Sequence, residues 1–235
     1  MKIKILIILL GLLLLIFMSP KKVQGQIAVK GGAALSGFQP WQDLSPFSGH
    51  DYRPFLGYEV DWLQHDDTAA PSFGLQFGVS YTRRLSKHFA VQPELFYSQR
   101  GVYFYQTELY NTSYKLSADF IEIPVLFKYE IPLKLPFKPG LLLGPYAAFK
   151  LDADRTLDIW GEKETKNLSC VKNFDYGLVF AINSEFSAWR PMMLEMRLNF
   201  GLANTMEQPE EFTEIFEDAG KVTVLAFTLM TGFRF

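Results

Sequence analysis

The chain has 235 residues, of which 49% are hydrophobic, 16% aromatic and 20% charged, below the roughly 25% charge of a typical soluble domain. A formal net charge of −2 offers no basic surface for nucleic acid, and a single cysteine excludes an internal disulfide. After Gly25 no run of about 18 apolar residues occurs, which excludes a membrane-crossing helix in that part of the chain.

Residues 1–25 read as a cleaved signal peptide. Lys2 and Lys4 form the positive region, Ile5 to Phe17 the apolar region, and Val23-Gln24-Gly25 the cleavage site, so the mature chain is expected to start at Gln26. No cysteine follows the cleavage site, so no lipoprotein anchor is expected. Residues 26–235 are expected to form one domain.

Eight strands are predicted from two-residue periodicity, because successive side chains on a strand point to opposite faces. They run Ile27–Phe38, Phe73–Leu85, His88 to about Tyr105, Asp119–Glu130, Gly140–Asp152, Phe174–Phe186, Met192–Ala203 and Lys221–Phe235. In the fourth, Ile121, Ile123, Val125, Phe127 and Tyr129 alternate with Glu122, Pro124, Leu126, Lys128 and Glu130. The others repeat this apolar face, for example Phe73, Leu75, Phe77 and Val79, or Leu194, Met196, Leu198 and Phe200. Long connections (39–71, 106–117, 153–172, 204–220) alternate with short ones (86–87, 131–139, 187–191). Behind an export signal this predicts an all-β fold: an eight-stranded antiparallel up-and-down barrel in the outer membrane, with both termini periplasmic and the long loops outside. The apolar face then meets lipid, whereas a soluble eight-stranded barrel would turn it inward. Phe233 and Phe235 place aromatics at the membrane rim and are read as the assembly signal of the last strand. Pro93, Pro124 and Pro145 lie within strands, and a bulge or local break is expected at each; Pro93 and Pro145 would face lipid.

Several segments resemble the PorT-like outer-membrane β-barrel family of Bacteroidetes. They are Val29-Lys30-Gly31-Gly32-Ala33-Ala34-Leu35-Ser36-Gly37-Phe38, Val91-Gln92-Pro93-Glu94-Leu95-Phe96-Tyr97-Ser98-Gln99-Arg100-Gly101, Ile121-Glu122-Ile123-Pro124-Val125-Leu126-Phe127-Lys128-Tyr129, and Gly144-Pro145-Tyr146. The in-strand prolines belong to that pattern. The resemblance implies an eight-stranded outer-membrane barrel, usually without assigned activity, and one namesake serves a protein-secretion system.

Strand phase sorts the charges. Lys30, Arg84, Arg100, Lys128, Lys150, Arg197 and Arg234 are expected in the lumen, with Glu94, Glu122, Glu130, Asp152, Asp175, Glu185 and Glu195. Seven cations against seven anions in so narrow an interior must pair, which predicts a closed, salt-bridged plug. At the strand ends, Glu130, Asp152 and Arg234 are expected to meet water instead. Loops 39–71 and 204–220 are acidic, the latter carrying Glu207, Glu210, Glu211, Glu214, Glu217 and Asp218 with no base. Divalent cations or a basic protein partner could bridge that apex; plain solvation is the alternative.

Loop 39–71 carries Trp41, Phe47, Tyr52, Phe55, Tyr58 and Trp62, read as a lid over the barrel rather than as binding anchors. A short helix is expected at Pro209–Ala219. Only His50, His65 and His88 occur, none beside a strand serine at the outer rim, so no catalytic constellation is expected. His65-Asp66-Asp67 is a weak metal pattern and Asp67-Thr68-Ala69 a short glycosylation-like pattern; no cofactor is expected. Cys170 reads as an incidental thiol with no activating base nearby in sequence. The expected function is that of a monomeric, non-enzymatic outer-membrane barrel with a structural or surface-interaction role through loops 39–71 and 204–220. Its expected partners are outer-membrane lipid, lipopolysaccharide and the assembly machinery. An accessory role in protein secretion, a narrow porin-like channel and a lipid-modifying enzyme are the alternatives.

Overall fold

A computed structural model describes residues 25–40, 58–59, 68–106, 112–133, 136–159, 162–186, 192–205 and 222–235. The expected signal peptide (up to Gln24), the aromatic loop apart from its ends and Tyr58–Glu59, and the expected helix at 209–219 lie outside the described residues, as do His50 and His65. Ten strands are described: β1 (Gly25–Pro40), β2 (Tyr58–Glu59), β3 (Thr68–Arg84), β4 (Phe89–Gln106), β5 (Thr112–Glu130), β6 (Phe137–Ile159), β7 (Glu162–Asn167), β8 (Phe174–Phe186), β9 (Met192–Gly201) and β10 (Val222–Arg234). Eight of them, β1, β3, β4, β5, β6, β8, β9 and β10, pair in that order, each antiparallel to the next. β1 pairs β10 on one side and β3 on the other, so the sheet closes on itself and the barrel has no free edge.

The barrel is inside-out relative to a soluble one. Along β8 and β9 every second residue is buried, and those between them are mostly exposed. The exposed set is apolar: Phe73, Leu75, Phe77 and Val79 on β3, Leu141 and Leu143 on β6, Leu178, Phe180 and Ile182 on β8. The buried set includes Lys30, Glu94, Arg100, Glu122, Lys128, Asp175, Glu195 and Arg197. Only an apolar solvent makes this arrangement stable, since water would favour the opposite sorting.

Three expectations need correction. First, of the bulge or local break expected at the prolines, only the break is found, and the register does not shift. Pro93 pairs with Val125, Pro124 with Tyr146 and Pro145 with Leu178, each in the register of the surrounding ladder. Pairing lapses next to Pro93 and Pro124, where the missing N–H removes a ladder bond, but no extra residue is inserted. The register shifts fall elsewhere, between Pro71 and Gln76 and between Asp119 and Phe120. Secondly, Val125 and Pro93 have outward parity but are buried; Val125 packs against Val91 beside its cross-strand partner Pro93. Close neighbours on the wall shield them from the surroundings.

Thirdly, two expected loops are strand. β5 begins at Thr112, and β6 runs on to Ile159, where it turns back into β7. A barrel strand needs only about 9–11 residues to cross a membrane. β5 has 19 and β6 has 23, so β3 to β7 stand beyond the barrel wall as an upright sheet at the end away from the termini. This part reads as loop because Asp152, Asp154, Arg155, Thr156 and Asp158 make it polar overall, although Ala153, Leu157 and Ile159 continue the alternation.

Candidate functional site

The site is the lumen, and glycines make room for it. A Cβ on Gly78 would lie 2.0 Å from the Leu95 carbonyl oxygen and 2.8 Å from the Phe96 ring; one on Gly177 would lie 1.9 Å from the Phe200 oxygen and 2.7 Å from the Tyr146 ring. Each glycine is the cross-strand partner of the residue whose ring lies over it. The rings in turn carry cations. The Arg197 guanidinium lies 4.9 Å from the Phe96 centroid, and that of Arg100 lies 4.8 Å from Phe120 and 5.3 Å from Tyr146. Desolvated pairs of this kind are each worth about 2 kcal/mol.

The charges form three tiers along the axis. In the central tier Lys30 Nζ donates to Glu94 Oε1 and Glu195 Oε2, both at 2.7 Å. Arg197 donates through Nη2 to Glu94 Oε2 at 2.6 Å and through Nε to Glu195 Oε1 at 3.0 Å. Gln92 adds a bond to Glu94 at 2.8 Å. Two cations and two carboxylates are thus cross-linked between β1, β4 and β9.

In the tier nearer the protruding sheet, Arg100 donates through Nη2 to Glu122 Oε1 and through Nη1 to Asp175 Oδ2, both at 2.6 Å. The Tyr146 hydroxyl donates to Asp175 Oδ2 at 2.8 Å. Gln76 and Asn199 donate their amides to Glu122 Oε2 at 3.3 and 3.1 Å. In the tier at the termini, Glu185 accepts from both Lys128 and Arg234, and Arg84 reaches Glu130 at 3.1 Å on the part-exposed rim.

These contacts join ten of the expected lumen residues: Lys30, Arg84, Glu94, Arg100, Glu122, Lys128, Asp175, Glu185, Glu195 and Arg197. Glu130 and Arg234, expected to meet water, are part-exposed and also pair, with Arg84 and Glu185 respectively. Lys150 stands apart: its Nζ donates to the Val171 carbonyl at 2.6 Å rather than to a carboxylate. Asp152 is not in the lumen. It is exposed, accepting from Ala153 N–H and the Asn167 amide, because the irregularity at Asp119–Phe120 changes the phase of the facing strand. Phe233 and Phe235 project outward on the last turn of β10 and beyond it. His88 lies near Tyr129, with 6.5 Å between ring centroids. No group of three or more His, Cys, Asp or Glu side chains could hold a metal among the described residues.

One component was missed. The segment after β7 turns into the barrel mouth, where Leu168, Cys170 and Val171 are buried with Phe38, Val102, Leu116, Val222 and Val224. Leu168 N–H donates to the Ala153 carbonyl on β6 and Lys172 N–H to the Thr205 carbonyl after β9, which ties the segment to the two strands that flank β8. Burial pushes the Cys170 thiol above its ordinary pKa, although Lys150 and Arg155 pull the other way. The apolar pair Leu168 and Val171 inside a stretch otherwise read as loop was the available signal.

The model of a family described as outer membrane protein beta-barrel domain matches residues 24–207. No curated protein matches the sequence. Among solved structures the chain is similar to the attachment invasion locus protein Ail of Yersinia pestis, at 12% identity and TM-score 0.40, covering 90% of this chain and 99% of that one. It is also similar to Neisserial surface protein A, at 12% identity and TM-score 0.41, covering 90% and 100%. The outer membrane protein OprG of Pseudomonas aeruginosa gives 14% identity and TM-score 0.43, covering 91% and 97%. With a closed antiparallel barrel, an apolar belt and a family model spanning most of its length, the chain belongs to the outer membrane protein beta-barrel domain family and is an outer-membrane protein.

Proposed function

We propose that the protein is a non-enzymatic barrel with a closed lumen, whose role is structural or lies in surface interaction at its outer end. The observation that carries this reading is the contact of Arg197 with Glu94. β9 and β4 stand four places apart in the ring of eight, so the pair spans the full width of the lumen. A pore would have to break it, and breaking a buried pair costs about 3–5 kcal/mol. The apolar segment Leu168–Val171 across the mouth supports closure a second time.

In this reading both termini are periplasmic and the sheet of β3 to β7 stands outside the cell. The apolar belt contacts lipid and lipopolysaccharide, and Phe233 and Phe235 serve as the signal read by the assembly machinery. The acidic loops 39–71 and 204–220 would take a basic protein partner or divalent cations. The test is reconstitution of the mature chain in planar bilayers: no stable single-channel conductance is expected, and a stable conductance insensitive to loop deletion overturns the plug. An unaltered lipid A mass spectrum on overexpression is expected of a non-enzyme.

A second reading rests on the residue resemblance to the PorT-like family, whose segments fall on β1, β4, β5 and β6. It is an accessory role in protein secretion. Gene deletion that leaves the secreted proteins unaltered removes it.

A further inference from the structure

The barrel has no free edge, but the protruding sheet has one. Among the described residues β7 pairs only β6, and all six residues of β7 are exposed. The ladder decides which of its backbone groups are open. Leu168 N–H donates to the Ala153 carbonyl, and these two residues continue the β6–β7 register as a bonded pair. Bonded pairs alternate along an antiparallel ladder, so Glu162, Glu164 and Lys166 turn their N–H and C=O groups to β6. Lys163, Thr165 and Asn167 turn theirs to the open side. The side chains agree. Thr156 and Thr165 form a non-bonded pair, in which side chains approach more closely, and their hydroxyls are 3.2 Å apart. Lysines on an edge guard against indiscriminate pairing; on β7 their spacing leaves one self-pairing register open.

An antiparallel partner must set outward-turned residues opposite outward-turned residues. With a second copy of β7, the register centred on Thr165 does so: Thr165 faces Thr165 of the second copy, and Lys163 faces its Asn167. Glu164 then faces Lys166 of the second copy, and Lys166 faces its Glu164. Within one strand Glu164 and Lys166 already pair at 2.8 Å. Two such pairs across the axis make a ring of four alternating charges, and cross-strand pairs of opposite charge are stabilising. The neighbouring registers fail. Centring on Glu164 sets two carboxylates opposite each other and turns the open bonding groups away. Centring between Glu164 and Thr165 sets Lys163 against Lys166 twice.

We infer that β7 pairs edge to edge with β7 of a second copy of this chain held in an opposing membrane. The two-fold axis passes through Thr165 and stands perpendicular to the sheet, which rises from the barrel wall. It therefore inverts the second barrel, and two copies in one membrane cannot pair in this way. Leu151, the last exposed apolar residue along β6, lies five positions before Thr156, the partner of Thr165. At about 3.3 Å per residue, the two apolar belts lie within about 35 Å of each other, which leaves room for headgroups and short sugars but not for long polysaccharide. One strand is a small contact, so membranes are held together by the number of copies rather than by the affinity of one. The inference deepens the surface-interaction reading and rests on its placement of the protruding sheet outside the membrane.

The test uses the mature chain in lipid nanodiscs, one barrel per disc, where both faces meet solution and copies meet only between discs. In a Cys170→Ala background, Thr165→Cys places a thiol on the axis, with about 5.5 Å expected between the two Cα atoms, within the range of a disulfide. Asn167→Cys lies on the same face but about 13 Å from its twin. Oxidation by copper phenanthroline is expected to link Thr165→Cys discs at least about tenfold faster than Asn167→Cys discs. Adding Glu164→Lys or Lys166→Glu to Thr165→Cys sets like charges opposite each other and should slow linking about tenfold. Mixing those two variants restores opposite charges and should recover most of the rate. An impermeant maleimide checks the placement separately. A Thr165→Cys thiol closed to it strikes the placement of the sheet outside the membrane, and the inference with it. An open thiol with equal linking at both positions, or a mixture that links no faster than either variant alone, overturns the self-pairing and leaves the placement standing.

Discussion

Arg197 on β9 and Glu94 on β4 meet across the width of the barrel, Nη2 to Oε2 at 2.6 Å, from strands at opposite points of the ring. Glu94 also holds Lys30, so one carboxylate ties β1, β4 and β9 together. The backbone ladders make the wall, whose strand number and stagger set its width, and contacts of this kind fill the interior.

Removing that carboxylate should be costly. Glu94→Ala leaves Lys30 and Arg197 sharing only Glu195, and a loss of about 3–5 kcal/mol is expected in urea unfolding followed by gel mobility. The double variant Glu94→Gln with Lys30→Met restores the charge balance and should recover part of the loss. Equal instability of both variants would mean that the pairing does not set the stability.

Room for the rings is a separate requirement. Gly177→Val would drive a side chain into the Phe200 carbonyl and the Tyr146 ring, so little or no folded barrel is expected from refolding. Gly37→Ala, with nothing within 4 Å of the added Cβ, should fold like the wild type. The contrast is read by gel mobility without heating.

The belt predicts a depth-dependent response. Phe180 is exposed in the middle of β8, and Phe180→Arg should cost about 2–4 kcal/mol in lipid vesicles. Thr156→Arg lies on β6 beyond the belt, where β6 pairs β7, and should change stability by less than about 0.5 kcal/mol. Equal costs at the two sites would contradict the placement of the protruding sheet outside the membrane.

Cys170 reports on the segment across the mouth. Its thiol is buried and its pKa raised, so the reactive thiolate is scarce at neutral pH. Labelling of the folded protein by iodoacetamide should be slow and should rise with pH towards and beyond the ordinary thiol range. Leu168→Asp, which places a charge in the same cluster, should speed it at least about tenfold. Rapid labelling of the folded wild type at neutral pH would show that the segment does not cover the opening.

Much of the wall was legible in the sequence. Residues such as Phe73, Leu75, Phe77 and Val79 recur at every second position, and only one environment suits an apolar outer face over charges that point inward. The polar end of β6 reads as loop because Asp152, Asp154, Arg155, Thr156 and Asp158 are polar, although Ala153, Leu157 and Ile159 keep the alternation. For the prolines the sequence left bulge and local break both open, and the structure shows the break. Periodicity shows that a strand passes through Pro93, but not whether its missing donor forces a bulge; that depends on the neighbouring ladder.

The sequence by itself determined the face on which each charge lies, because a period of two ties side-chain direction to position along the strand. Lys30, Glu94, Glu195 and Arg197 could be assigned to the interior without knowing any contact between them. Which of them meet was decided only by the tertiary structure. Glu94 and Arg197 are 103 positions apart, and their height along the axis depends on the register of every ladder between β4 and β9. The same registers gather two carboxylates onto Arg100, a grouping that no local pattern in the chain contains.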